Sequence, residues 1–213
     1  MVSEHSLTSF IFTLNDKKLN RKNIIMEIKK RQLEIIKAAG EILTESGLAG
    51  LTTKNLAVRM DFAESALYRH FKSKEDIVVT MLQYLAADMD KRLSACVTSL
   101  EDPVENLKAV FNNQFDFFEK HPHFLIAVFS DGLLEESKKI NDAILQIMAI
   151  KRKHLLPIIN KGQQDGIFKT AASAEDILHI VMGSFRLHML QWRMSAFSFD
   201  VKQKGNKLME SIL

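Results

Sequence analysis

Little in this chain interrupts a helix. Three prolines and eight glycines are spread over 213 residues, too few turn formers for a strand-rich fold, so long helices are expected. A single cysteine, Cys96, excludes an internal disulfide, suits a reducing cytoplasm and reads as an inert small hydrophobe. No run of about 18 uncharged apolar residues is present, so no membrane span is expected. The N-terminus lacks a basic start followed by a long apolar segment, so secretion is not expected either. Signatures of catalysis are missing too. There is no nucleophile elbow with Ser, His and Asp in order, and no glycine-rich phosphate loop. The seven histidines are scattered over separate segments. No enzymatic activity, cofactor or metal is therefore expected.

What the chain does have is an uneven charge. The net charge is only +3, yet Lys17 to Lys74 carries 13 Lys or Arg against 6 Asp or Glu. Phosphate binding calls for a local surplus of this kind. The same region holds the stretch TTKNLAVRMDFAESALYRHFKSK, residues 52–74. Leu56, Ala57 and Met60 recur at helical spacing over Thr53–Met60, and Leu67 and Phe71 anchor a second helix over Glu64–His70. Small Ala57 lets the second helix approach the first. Asp61 falls where the chain must reverse, and Asp tolerates the left-handed conformation better than most residues. The other face of the second helix carries Glu64, Ser65, Tyr68, Arg69 and His70. Apolar anchors on one side and hydrogen-bonding groups on the other suit a helix held in a DNA major groove. An ordinary helical hairpin with a solvated face is the bland alternative.

The residues LTTKNLA, followed by ALYRHFKSKED, closely resemble the DNA-binding domain of the TetR family of bacterial regulators. The resemblance runs from about Arg31 to Ile77 and includes Ala38, Ala39 and Gly47 before the Thr pair. Two positions depart from the pattern: Asp61 replaces the usual turn glycine, and Ala63 replaces the common serine cap. A more strained turn and a weaker cap are expected. The resemblance implies an all-α protein, with an N-terminal three-helix helix-turn-helix head over residues 21–73 and a larger helical body over residues 74–213 for effector binding and dimerisation. Residues 1–20, with the apolar run Phe10, Ile11, Phe12 and Leu14, read as an extension. A flexible tail or an upstream start-site error, with Met26 just before the resemblance begins, is the expectation, and a basic arm touching DNA is the alternative. Carried onto matching positions, the family pattern places Thr53 and Lys54 at the backbone. Glu64, Ser65, Ala66 and Arg69 would read bases or line the groove, and Tyr68, His70 and Lys74 would hold phosphates. Glu64 has two readings, as an acceptor for cytosine N4 or as support for its own helix start.

Along the remainder, apolar periodicity predicts helices over 21–46 (stopped by Gly47), 74–98 (capped by Ser73), 102–120 and 124–129, with His121-Pro122-His123 as the break. The two histidines flanking Pro122 read as a loop feature rather than a metal site. A long helix over 134–165, containing Pro157 and closed by Gly166, carries the triplet Lys151-Arg152-Lys153. That triplet reads as a solvated face, with attraction of an anionic head group as the alternative. Ser173 and Asp176 open a helix reaching Phe197 that is apolar on more than one face. Ile177, Ile180, Val181, Ser184 and His188 lie on one side, and Leu178, Met182, Phe185, Met189 and Trp192 on another. One face can pack inward while the other needs a partner. A last helix, 201–213, is weakened near its start by Gly205. Pairing of these two helices with their copies would give a homodimer.

The family resemblance implies a two-fold dimer on a pseudo-palindromic operator in double-stranded DNA, released by a small apolar effector. Phe111, Phe115, Phe118, Phe124, Met148, Met182, Phe185, Met189 and Trp192 supply aromatic and adaptable surface for an effector pocket, or simply fill the core. The competing reading is a TetR-like nucleoid-associated or division-regulating protein that binds DNA without a small ligand, which SALYRHFKSK resembles equally.

Overall fold

The computed structural model describes residues 29–97, 99–129, 137–169 and 171–212. Among them are nine helices and no strand. These are α1 (Lys30–Gly50), α2 (Thr53–Arg59), α3 (Glu64–Leu67), α4 (Lys74–Cys96), α5 (Pro103–Lys120), α6 (Pro122–Phe129), α7 (Lys138–Gln164), α8 (Ala174–Met194) and α9 (Val201–Ile212). The expected extension, residues 1–20, and the expected start of the first helix lie outside the described residues.

Side-chain caps start most of these helices, because the first backbone N–H groups have no partner within a helix. Thr52 accepts from the Asn55 N–H, Ser73 from Asp76, Asp102 from Glu105, Ser137 from Ile140 and Ser173 from Asp176. The Ser137 cap corrects the expected start at Leu134: an extended backbone at Ser137 (ψ 153°) separates α7 from what precedes it. Left-handed residues end helices. Gly47 (φ 64°) breaks α1, and Gly166 (φ 70°) follows α7. Ala196 and Phe197 (φ 52° and 61°) stop α8 at Met194, three residues short of the expected end. Phe197 instead folds back edge-to-face on Trp192, 4.7 Å between centroids.

The body is built around α4 and α7, which pack along each other. Asp90 of α4 ties them by accepting from Lys153 (2.8 Å) and pairing with His154 Nε2 (2.7 Å). α5 packs on both, α8 covers α7, and α9 lies across α5 and α8. Gly205, expected only to weaken α9, has a packing role. It is buried against the Phe115 ring, which a Cβ there would strike. α1 bridges the two ends of the molecule, packing on α2 in the head and on α6 and α4 of the body. Its inward stripe of Ile35, Ile36, Ala39, Ile42 and Leu43 is fully or almost fully buried.

A candidate DNA-reading face and a small cavity

In the head, α2 and α3 are joined by the turn that the sequence marks. Asp61 adopts φ 54°, and the Phe62 N–H reaches back to the Ala57 carbonyl at 2.9 Å. Ala63 supplies no side-chain cap. The second helix is shorter than expected: α3 covers Glu64–Leu67, and Tyr68, Arg69 and His70 continue as a turn. With four helical residues and no side-chain cap, little local free energy holds it. Leu67, 1% exposed, and buried Phe71 pin it to the core.

None of the nine residues expected at DNA is buried. Lys54, Glu64, Ser65, Tyr68 and Arg69 are exposed; Thr53, Ala66, His70 and Lys74 are partly so. Tyr68 leaves more than half of its surface in solvent, as does Val58, one turn beyond Lys54 on α2. Sequence reasoning did not single out Val58, although its spacing from Lys54 places it on the same face. Thr53 donates its hydroxyl proton to Glu64 Oε1 at 2.9 Å, locking the starts of α2 and α3 together. That bond gives Glu64 a structural task of its own, tying one helix of the head to the other. Arg59, by contrast, is turned to the back of the head, where it bonds Glu41 (3.1 Å) and Glu45. The hydrogen bond from Arg59 holds the Glu45 carboxyl below its usual range.

The joint between head and body is aromatic. The His123 ring of α6 lies against Gly40 of α1, and a Cβ on Gly40 would meet it at 2.5 Å. His123 also stacks near Phe124 (4.5 Å), which in turn faces Phe117 and Tyr84. Burial, with the nearby His121 adding to it, pushes the His123 pKa down to about 4. Among the described residues no group of three His, Cys, Asp or Glu side chains gathers to hold a metal.

Inside the body, α4, α5, α7 and α8 enclose a cavity of about 10 Å³, the room of a single water. Its walls are Leu93, Val110, Phe111, Leu155, Met182 and Phe185, with two polar groups, Gln114 and Lys151. Gln114 is 3% exposed, and its Nε2 has no hydrogen-bond partner. The Lys151 ammonium sits 4.2 Å from the Phe185 ring centroid. Burial first, and then the charge of Arg186, lower its pKa to about 8. The triplet expected on one solvated face is thus divided. Arg152 pairs with Glu175 and Lys153 with Asp90, while Lys151 turns inward. Successive helical residues are about 100° apart, so three in a row cannot share a face.

Of the nine residues expected to offer pocket surface, Phe111, Met182 and Phe185 line this cavity. Phe115, Phe118 and Met189 lie in the core, at 0%, 2% and 0% exposure. Trp192 is buried against Phe197, and Phe124 belongs to the head–body joint. Met148 is nearly half exposed on α7 and faces away from the cavity wall.

The outer face of α8 also differs from the expected division. Ile177, Val181 and His188 point inward together with Leu178, Phe185, Met189 and Trp192. The apolar residues left in solvent are Ile180, Leu187 and Met194, at 51%, 56% and 78% exposure. They recur every seven residues, so they form one stripe along the helix.

Two family models match the chain. Bacterial regulatory proteins, tetR family, covers residues 35–81, and the tetracyclin repressor-like C-terminal domain covers residues 103–207. The HTH-type transcriptional repressor KstR2 of Mycobacterium tuberculosis is 22% identical over 192 residues, 88% of this chain and 93% of that protein. The nucleoid occlusion factor SlmA of Vibrio cholerae is 26% identical over 118 residues, 55% of this chain and 60% of its own length. Among solved structures, the transcriptional regulator FadR from Bacillus subtilis in complex with stearoyl-CoA superposes with a TM-score of 0.75 at 21% identity. That superposition covers 86% of this chain and 97% of FadR. With one model matching the helix-turn-helix head and the other the helical body, the chain belongs to the TetR family of bacterial regulatory proteins.

Proposed function

We propose that this protein is a ligand-responsive transcription regulator, a repressor that leaves its operator when a small, mostly apolar effector enters the helical body. The observation that carries the reading is the pairing of two sites on one continuous scaffold. A reading face with no buried member sits at one end, and a small, mostly apolar cavity lies among α4, α5, α7 and α8. α4 begins at Lys74, four residues after the reading turn, and contributes Leu93 to the cavity. A ligand that parts the cavity walls must displace α4 or its neighbours, and so bias the spacing of two heads. The heads belong to two copies paired through α8 and α9, where the exposed Ile180, Leu187 and Met194 stripe supplies the apolar surface. The operator is accordingly a pseudo-palindrome. Two relatives support this reading of the body, since KstR2 is named a repressor and FadR was solved with an acyl thioester.

The test is selection of bound sites from a random DNA pool, followed by titration of the winning site at several salt concentrations. A two-fold motif and a steep salt dependence are expected. No enriched motif, with affinity indifferent to salt, sinks the proposal. The match to SlmA keeps one rival in view, a nucleoid-associated role without a ligand. Many dispersed sites across a genome, in place of a few promoter sites, would favour it.

A further inference from the structure

One buried polar group in the cavity lacks the partner that buried polar groups require, and a partly exposed cation lies beside it. Gln114 presents an amide nitrogen with no acceptor, inside a residue that is almost completely buried. Such orphans are uncommon in folded proteins and call for a partner. Lys151 lies across the same space. Its neighbours Arg152 and Lys153 each have a carboxylate, but among the described residues none pairs with Lys151. The charged group identified beside it is Arg186, of the same sign. Among the described residues its ammonium rests on the face of Phe185, a partial substitute for water or a counter-ion. All other walls are hydrocarbon or thioether. Two donors thus converge on an apolar space whose lining residues offer no side-chain acceptor beyond the amide oxygen of Gln114 itself.

We infer that the effector is an amphipathic anion, with its oxygen-bearing head held by Lys151 and Gln114 and its apolar body lying among Phe111, Leu155, Met182 and Phe185. This rests on the ligand-responsive reading above and gives that effector its chemical class. An anionic head supplies both missing interactions at once: a counter-charge for the ammonium and an acceptor for the amide. A neutral hydrocarbon supplies neither, and a cation adds a third positive charge beside Lys151 and Arg186. Room for the body comes from movement of the walls. Met182 is only partly buried, has three rotatable bonds and can swing aside, and the Phe111 and Phe185 rings, 5.7 Å apart, are tilted rather than stacked. The small cavity is therefore the unliganded state, and the ligand selects a wider one.

Three probes of equal chain length test this on the wild-type protein: dodecanoate, dodecanol and dodecylamine, each below its micellar concentration. Binding is followed by titration calorimetry and by release of the selected operator. Dodecanoate is expected to bind at least about tenfold more tightly than dodecanol, with dodecylamine the weakest. In Lys151→Met the ratio of dodecanoate to dodecanol affinity should fall to about one, and Gln114→Leu should lower it by a smaller factor. Equal affinity of wild type for the acid and the alcohol overturns the head-group assignment while leaving an apolar effector site. Persistence of the preference in Lys151→Met overturns it as well. If none of the three binds while the operator is still recognised, the ligand-responsive reading falls, and this inference with it.

Discussion

The reading head and the effector body solve opposite problems with the same secondary structure. In the head, α2 and α3 are held by a few buried anchors, and the working side chains are left in solvent. Within the described residues the side chains of Lys54, Tyr68 and Arg69 form no hydrogen bond or ion pair. In the body the candidate working groups, Lys151 and Gln114, are drawn inward, and the space between them is small. A surface site made of unpaired side chains costs the fold little, because water satisfies each group until DNA replaces it. An interior site leaves polar groups short of partners, which costs stability until a ligand arrives. Head substitutions should therefore change DNA affinity without changing stability, whereas body substitutions should change stability and binding together.

The largest expected effect tests what joins two such molecules. Ile180→Glu combined with Leu187→Glu places two charges in the exposed stripe of α8. Sedimentation should then find monomers, and operator affinity should fall by at least about a hundredfold, because the second half-site is no longer held at high effective concentration. A double variant that remains dimeric at micromolar concentration would show that the stripe is not the pairing surface.

Next in size are two overpacking substitutions. Gly40→Ala drives a methyl group into the His123 ring at the head–body joint, and Gly205→Ala drives one into Phe115 within the body. Each should lower stability by about 1–3 kcal/mol in urea unfolding. If the joint is what couples the two ends, Gly40→Ala should also alter operator affinity and Gly205→Ala should not. Identical effects on DNA from both would weaken the distinction between joint and interior.

Head substitutions should show the reverse pattern. Arg69→Ala should cost roughly 1–3 kcal/mol of discrimination between bases if its guanidinium reaches a guanine. Tyr68→Phe should instead weaken all sequences alike, by about 1 kcal/mol, as the loss of a phosphate contact does. Both should leave the unfolding midpoint within about 0.5 kcal/mol of wild type, since neither side chain is buried. A large loss of stability in either variant contradicts the comparison directly.

The same contrast decides what could be read from the sequence. Caps and stops are local, so Ser73, Asp102, Ser173, Asp61 and Gly166 announced their own turns. The reading face was legible because motif, charge and exposure coincide there. Long-range packing was less legible. The shortness of α3 depends on how Leu67 and Phe71 anchor it, and Gly205 takes its meaning from Phe115 on another helix. Gln114 falls at helical spacing from Val110 and Phe111, but its lack of an acceptor appears only when four helices are assembled. Within Lys151-Arg152-Lys153, side-chain chemistry is nearly constant. The helix turns the three cations in different directions, and Glu175 and Asp90, distant in sequence, pair with Arg152 and Lys153.

The smallest effect, and the finest test of the joint, is its pH dependence. In the folded protein His123 titrates near pH 4, chiefly because burial against α1 and its aromatic neighbours disfavours the charged ring. His121 and Lys37 push in the same direction, and Glu41 opposes them. Unfolded, the ring takes up a proton near pH 6.5. Between these values the unfolded state binds more protons, so stability must fall as pH falls through the window and level off below it. His123 is only partly buried, and solvent at its open edge screens the effect, so the loss should be about 1 kcal/mol by pH 5. Carboxylates such as Glu45 and Asp90, whose pKa values are lowered by their partners, lose stability in the same direction at still lower pH. The measurement is therefore a difference. His123→Phe keeps a ring in place and removes the titration, so wild type should lose stability relative to this variant between pH 7 and pH 5. Parallel unfolding curves across that range would mean that the joint tolerates a charged ring, and that acid stability is set elsewhere.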